Sequence, residues 1–300
     1  MTTQTPVTPT AAPALLPTLG RGIGQIMLQG NAWTGLLFLL GLLLGGWPIG
    51  VGTMIGAGVG TFTAQALRFD AAEIGQGLYG FSPALVGAAS AFFFGPTWPA
   101  LALGVIGAAL AAWLQHFFIR RRVAAYTLPF ILVAWGVYLL GTHVLGLPHA
   151  EAVPPLMKLP LDDFALPLNG VGQVIFEAAP VTGLLFMAGL ATAGIVPVGA
   201  ALLGALMGAM LAAVVGQAGT DITLGLFGYN SVLAAITLAG QPARTEGMKS
   251  LWVALAAALA SALDLLMSGS GLFAPLGGVL TLPFVLAVWA VNALRRRITA

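Results

Sequence analysis

The stretch "GQIMLQGNAWTGLLFLLGL" at 24–42 returns as "GQVIFEAAPVTGLLFMAGL" at 172–190, an offset of 148 residues. At the same offset "GLYGFSPAL" (77–85) returns as "GLFGYNSVL" (225–233). "YTLPFILVAW" (126–135) then returns as "LTLPFVLAVW" (280–289) at an offset of 154, identical at six of ten positions. Three phrases in one order at nearly one offset mark an internal duplication. A chain so built folds as two copies of one unit, so its residues are best read in pairs.

Composition identifies the unit. Hydrophobic residues make up 59% of the chain and charged residues 7%, against roughly 45–50% and 25% in soluble domains. With 11 basic and 9 acidic side chains in 300 residues, such a surface cannot be wetted, and lipid must be the solvent for much of it. The apolar stretches divide into ten expected spans: 33–47, 48–67, 80–95, 98–118 and 127–146, then 181–196, 197–216, 223–240, 250–268 and 279–293. Segments 20–32 and 169–179 are too short for a bilayer that needs ~20 residues. Each carries glutamine where lipid favours leucine, which suits re-entrant half-helices. The expected fold is an all-α polytopic membrane protein of two repeats, each with five transmembrane helices and one half-helix.

Five is odd, so the second copy must lie inverted in the membrane. Charge agrees with that arrangement. With the N-terminus inside, Arg21, Arg68, Arg120, Arg121, Arg122, Arg244, Lys249, Arg295, Arg296 and Arg297 all face the cytoplasm, and only Lys158 does not, as the positive-inside rule asks. The expected divisions are a disordered Thr/Pro/Ala-rich leader (1–19), a first repeat (20–146), an extracytoplasmic loop with Glu151, Asp162 and Asp163 (147–168), an inverted second repeat (169–293) and a basic cytoplasmic tail (294–300).

Several function classes lack equipment. A net charge of +2 without a basic stripe gives no reason to expect nucleic acid, and the absence of cysteine excludes thiolate metal sites and iron–sulfur clusters. His116, His143 and His149 fall at span ends or in the loop without metal-ligand spacing. No nucleophile motif or phosphate loop stands out, so neither enzymatic chemistry nor a cofactor is expected.

Inverted repeats place their shared site near the midplane, which makes paired polar residues informative. Gln25 and Gln173 are equivalent. Each either hydrogen-bonds backbone freed at its half-helix end, or turns a carbonyl oxygen toward an N–H-rich solute on the axis. Thr127 and Thr281 precede Pro129 and Pro283; each is a helix cap or a hydroxyl facing its mate. Phe81 with Leu85, and Tyr229 with Leu233, lie four apart on one helical face, either as core or as the apolar walls of a slot that admits a flat neutral molecule and penalises ions. Glu177 has Gln29 as its counterpart, so that acid is not duplicated, and Asp264 is expected at the interface near a span end.

Together "GIGQIMLQGNAWTG", "GLYGFSPAL", "AAYTLPF" and their second-half partners resemble the urea transporter family over about 21–293. The resemblance implies a homotrimer with passive urea conduction through a pore in each protomer; the compact ten-span chain with minimal loops points to a bacterial inner membrane, and the charge pattern to both termini in the cytoplasm. The resemblance also implies an oxygen ladder at Gln25 and Gln173, with Ile26, Val174, Leu28, Phe81, Leu85, Tyr229 and Leu233 as walls. Thr127 and Thr281 would flank the narrow middle. The chain departs from the family's pattern at Ala124 and Gly278, where proline is usual, at Ser82, where asparagine is usual, and at Leu28, often phenylalanine. A competing class is an ion-coupled carrier or channel for another small neutral solute, with Glu177 or Asp264 as proton site; a third is a membrane scaffold.

Overall fold

The computed structural model describes residues 14–161 and 164–299. The first half runs α1 (Leu15–Gly24), a 3-10 turn (Gln25–Met27), α2 (Ala32–Gly45), α3 (Trp47–Ala66), α4 (Ala71–Gly75), α5 (Phe81–Phe94), α6 (Trp98–Arg120) and α7 (Leu128–Leu139), which ends in a π-turn at Leu140–Val144. The second half runs α8 (Ala165–Gly172), a 3-10 turn (Gln173–Ile175), α9 (Pro180–Ala193), α10 (Ile195–Val214), α11 (Gly219–Thr223), α12 (Tyr229–Ala239), α13 (Glu246–Gly269) and α14 (Leu282–Thr299), with a 3-10 turn at Ala274–Leu276 before α14. Element for element, one series occurs twice.

A helix overlies each of the ten stretches read as spans. By length and composition, α6, α10 and α13 suffice alone to cross a membrane, and five spans result when each bent pair counts as one. The bent pairs are the half-helices: α1 meets α2, and α8 meets α9, at 77° in both halves. Leu28 and Phe176 produce the bend, each closing its 3-10 turn at φ 60 in the left-handed region. A bulky side chain there is unusual, and it occurs at the same place in both copies.

Three boundaries differ from the sequence reading. The expected leader is helical from Leu15, because Pro17 sits in the first turn of α1, where its missing N–H leaves no bond unmade. Residues 1–13 lie outside the described ones, as do Asp162 and Asp163. The second half-helix starts at Ala165, within the expected loop. The basic tail continues α14 to Thr299, where Arg296 and Arg297 suit a helix C-terminus.

The core sits on α5 and α12. Every α5 residue except Ala91 and Phe92 is buried, and every α12 residue except Tyr229. A helix apolar on all sides belongs inside. α3 and α6 pack on α5, α10 and α13 pack on α12, and α2 packs on α9 across the two halves. Trp33, Phe62, Trp98, Ile106, Ile195 and Met210 stand exposed on the outer helices, an apolar rim that suits lipid.

The contacts between halves are reciprocal. Thr34 donates to the Gly189 carbonyl at 2.9 Å, and its mate Thr182 donates to the Gly41 carbonyl at 2.9 Å. The Trp135 indole donates to the Gly278 carbonyl at 2.9 Å, and Trp289 to the Ala124 carbonyl at 2.8 Å. Residue i meeting j′ while j meets i′ is the signature of a two-fold relation. It also explains why the TLPF phrase ends in tryptophan twice: each copy's indole closes onto the other copy's chain just ahead of that phrase.

Candidate functional site at the junction of the repeats

The half-helices are held by loops from their own half. Gly77 (φ 79) and Gly225 (φ 76) lie against the backbone of Gly22 and Gly170, and a Cβ at either position would collide with it. This close approach brings the carbonyls of residues 76 and 224 beside the glutamines. Gln25 Nε2 donates to the Gln76 carbonyl at 3.3 Å, and Gln173 Nε2 to the Leu224 carbonyl at 3.1 Å. Both amides are thus tethered by nitrogen to backbone, in equivalent bonds. Their oxygens make no hydrogen bond among the described residues.

Thr127 and Thr281 meet. Their hydroxyls are 2.7 Å apart and both residues are buried. Thr127 precedes α7 without capping it through its side chain; the hydroxyl is spent on its mate instead. Tyr126 and Leu280, just ahead, are equivalent in conformation too, at φ 49 and φ 51.

Cavities lie on both sides of this pair. On one side a cavity of ≈ 280 Å³ includes Phe130, Gln173, Val174, Phe176, Tyr229 and Thr281 in its lining. It shares Phe92, Gln173 and Phe176 with a second of ≈ 520 Å³ that reaches Glu151 and Glu177. On the other side a cavity of ≈ 510 Å³ is lined by Leu28, Gln29, Tyr126 and Lys249 among others. It shares Tyr126 and Gln241 with one of ≈ 720 Å³ bearing Arg122, Arg295 and Arg296. Of the residues singled out from sequence, Gln173, Val174, Tyr229 and Thr281 thus line the first cavity and Leu28 the third. Ile26, Phe81, Leu85 and Leu233 are buried in the core cluster and line none of the four, and Gln25 and Thr127 are likewise absent from their linings.

Sequence reading missed Phe176, although it stands at offset 148 from Leu28. Phe176 stacks on Phe92 with centroids 4.9 Å apart and meets Phe130 edge-on at 6.1 Å, making one wall aromatic. Tyr126, which opens the repeated phrase, was also passed over. Asp264, expected near a span end, is buried within the protein and shares a cavity lining with Gly277, Gly278 and Val279 from the segment after α13.

The halves differ in how they secure the TLPF segment. Asn230 donates to the Leu280 carbonyl at 3.2 Å and accepts from the Phe284 backbone N–H at 3.1 Å, while the Tyr229 hydroxyl donates to the same carbonyl at 3.0 Å. Ser82, its equivalent, is too short and instead donates to Gln115 Oε1 at 3.4 Å.

Comparison with known proteins agrees with this architecture. The model of one protein family, described as "UT: Urea transporter", matches residues 16–296. Urea transporter 1 of Rattus norvegicus and that of Mus musculus are each 28% identical over 238 residues, covering 73% of this chain and 62% of the relative. Urea transporter 1 of Ovis aries is 28% identical over 237 residues with the same coverage. The chain therefore spans about 62% of the length of the curated relatives it matches. With apolar helices of spanning length and a match over nearly all its residues, the chain is a multi-pass membrane protein and belongs to the urea transporter family.

Proposed function

We propose that the protein conducts urea passively, down its gradient, through a pore within each protomer. The observation that carries the reading is the buried Thr127–Thr281 hydroxyl pair with cavities on either side. Urea is flat, neutral and rich in N–H donors. It loses water on entering a narrow apolar passage, and oxygens already facing the passage replace those hydrogen bonds. In this proposal Gln173 and Thr281, which line the first cavity, and their mates Gln25 and Thr127, which line none of the four, supply that series. The amide tethers matter because they fix which end of each glutamine is left for solute. The aromatic faces of Phe176 and Phe92 and the side chain of Leu28 are the apolar walls. Ions fail to pass because little in such a passage repays their hydration.

The proposal includes the inverted arrangement of the halves: an in-plane pseudo-two-fold axis through the threonine pair, half-helices entering from opposite faces, and both termini in the cytoplasm. That orientation puts Arg122, Lys249, Arg295 and Arg296 inside and Glu151 outside, in keeping with the positive-inside rule. A homotrimer in a bacterial inner membrane completes the reading.

Stopped-flow flux into proteoliposomes tests it, with urea, formamide, glycerol, ammonium and water compared in turn. Urea flux is expected to be fast, saturable and independent of any ion gradient, and to be lost when Gln25→Ala and Gln173→Ala are combined. Urea flux no greater than that of empty liposomes overturns the reading. Accumulation against the urea gradient under an imposed pH jump would establish an ion-coupled carrier instead.

A further inference from the structure

At the 148-residue offset, α6 and α13 carry His116 and Asp264. His116 has partners at its ring face and at Nδ1. Its ring stacks on Phe69 at 3.7 Å, its Nδ1 lies 3.0 Å from the Tyr79 hydroxyl, and the Glu73–Arg120 ion pair stands alongside. Asp264 is only 2% exposed. Its Oδ1 accepts from the Ser268 hydroxyl at 3.2 Å, but its Oδ2 has no hydrogen-bond partner. No Lys or Arg pairs with it among the described residues.

The cavity that Asp264 lines has a specific composition. Asp264 lines the ≈ 280 Å³ cavity together with the rings of Phe92, Phe130, Phe227 and Tyr229. The adjoining ≈ 520 Å³ cavity brings Glu151 and Glu177 and no Lys or Arg. Neutral urea transfer calls for no carboxylate here, and a carboxylate kept from water is costly unless paired. Aromatic faces with an acidic group beyond them attract cations. Among small cations the guanidinium type suits such a cavity. It is planar, so a face can lie on a ring while an N–H edge meets the carboxylate. It is also more weakly hydrated than an ammonium ion, so entering an apolar space costs it less. The volume is ample for such an ion against ~30 Å³ for one water in the liquid.

We propose that the cavity lined by Asp264 is a binding site for a small planar cation of guanidinium or amidinium type, held by the Asp264 carboxylate against the aromatic wall on the Glu177 side of the threonine pair. The inference rests on the cavity alone and goes beyond the urea reading. An occupied site would narrow the approach to Thr281, so such an ion would also obstruct solute from that side.

Calorimetric titration of the detergent-purified full chain with guanidinium chloride at millimolar concentration tests it, with sodium chloride at equal ionic strength as control. Saturable heat with guanidinium and none with sodium is expected. In Asp264→Asn, which keeps the shape and removes the charge, affinity is expected to fall by about tenfold or more, the scale of one charged hydrogen bond. Wild-type protein without saturable guanidinium heat overturns the proposal whether or not the variant folds, and so does equal affinity in a variant that elutes as wild type does. Because binding is read without flux, a protein that binds guanidinium yet fails to carry urea would sink the urea reading and leave this one standing.

Discussion

The two sides of the threonine pair share a backbone and differ in chemistry. Leu28 and Phe176 have the same φ, close the same 3-10 turn and stand at the same 77° bend. Yet the Leu28 cavity gathers Gln29, Tyr126 and Lys249, and the Phe176 side gathers Glu177, Tyr229 and Asp264. Farther out, one side bears Arg122, Arg295 and Arg296 and the other Glu151. Glycines, tethering amides and facing threonines recur because they set backbone geometry, and both copies need that geometry. Side chains that line the cavities have diverged.

If shared geometry is the constraint, breaking it in either half should do equal harm. Gly77→Val and Gly225→Val are expected to have the largest effect. Each puts a β-branched residue at positive φ, at a cost of about 1–3 kcal/mol. Each also drives a side chain into the opposing glycine backbone, which raises the total further. Both variants should lose the monodisperse peak in detergent size-exclusion chromatography. A Gly77 variant that elutes normally while the Gly225 variant does not would break the equivalence of the halves.

Next in size is the threonine pair. Thr127→Val or Thr281→Val leaves the other hydroxyl buried without its mate, at a cost of about 1–3 kcal/mol. The double substitution should cost less than the two singles added, since both singles remove one shared bond. Urea flux is expected to fall by roughly tenfold in either single variant, equivalent to about 1.4 kcal/mol on the barrier. Thermal melting and stopped-flow flux on all three variants read both quantities. Additive losses of stability would show that the hydroxyls act separately.

This symmetry also explains what was legible in the sequence. Residues whose role is set by the duplication could be paired by offset: Gln25 with Gln173, Thr127 with Thr281, and the tryptophans at 135 and 289. Helices could be placed because long apolar runs between glycines and charges have few other fates in lipid. The burial of Asp264 was not legible, because the segment beyond α13 that shares its cavity comes from outside its own helix and no local pattern announces it. Residues 15–19 were misread because proline in a first helical turn looks, in sequence, like proline in a coil. Phe81, Leu85 and Leu233 illustrate a third difficulty. Four-residue spacing fixes that two side chains share a helical face, but it cannot say whether that face meets a cavity or a neighbouring helix; Phe81, Leu85 and Leu233 are buried in the core.

The smallest expected effect makes the sharpest test of why the two sides differ. Gln29 Nε2 donates to the Met27 carbonyl at 2.9 Å, whereas its mate Glu177 accepts from the Ala179 backbone N–H at 3.1 Å, just before α9. In the first half the corresponding helix start is capped by Asn31, which accepts from the Trp33 N–H at 2.9 Å. The acid thus holds the residue that precedes α9, which has no side-chain cap, whereas Asn31 caps α2 itself. Glu177→Gln keeps an acceptor oxygen for Ala179 and removes only the charge, so stability should change by about 0.5 kcal/mol or less, as for replacements that keep the cap. A neutral solute has no net charge for Glu177 to attract, and urea flux should stay within about twofold, a difference of roughly 0.4 kcal/mol. Melting curves and urea flux on this variant check both. A tenfold fall in flux with stability intact would mean that Glu177 touches the solute itself, and that the acidic side of the passage was shaped by transport rather than by the start of a helix.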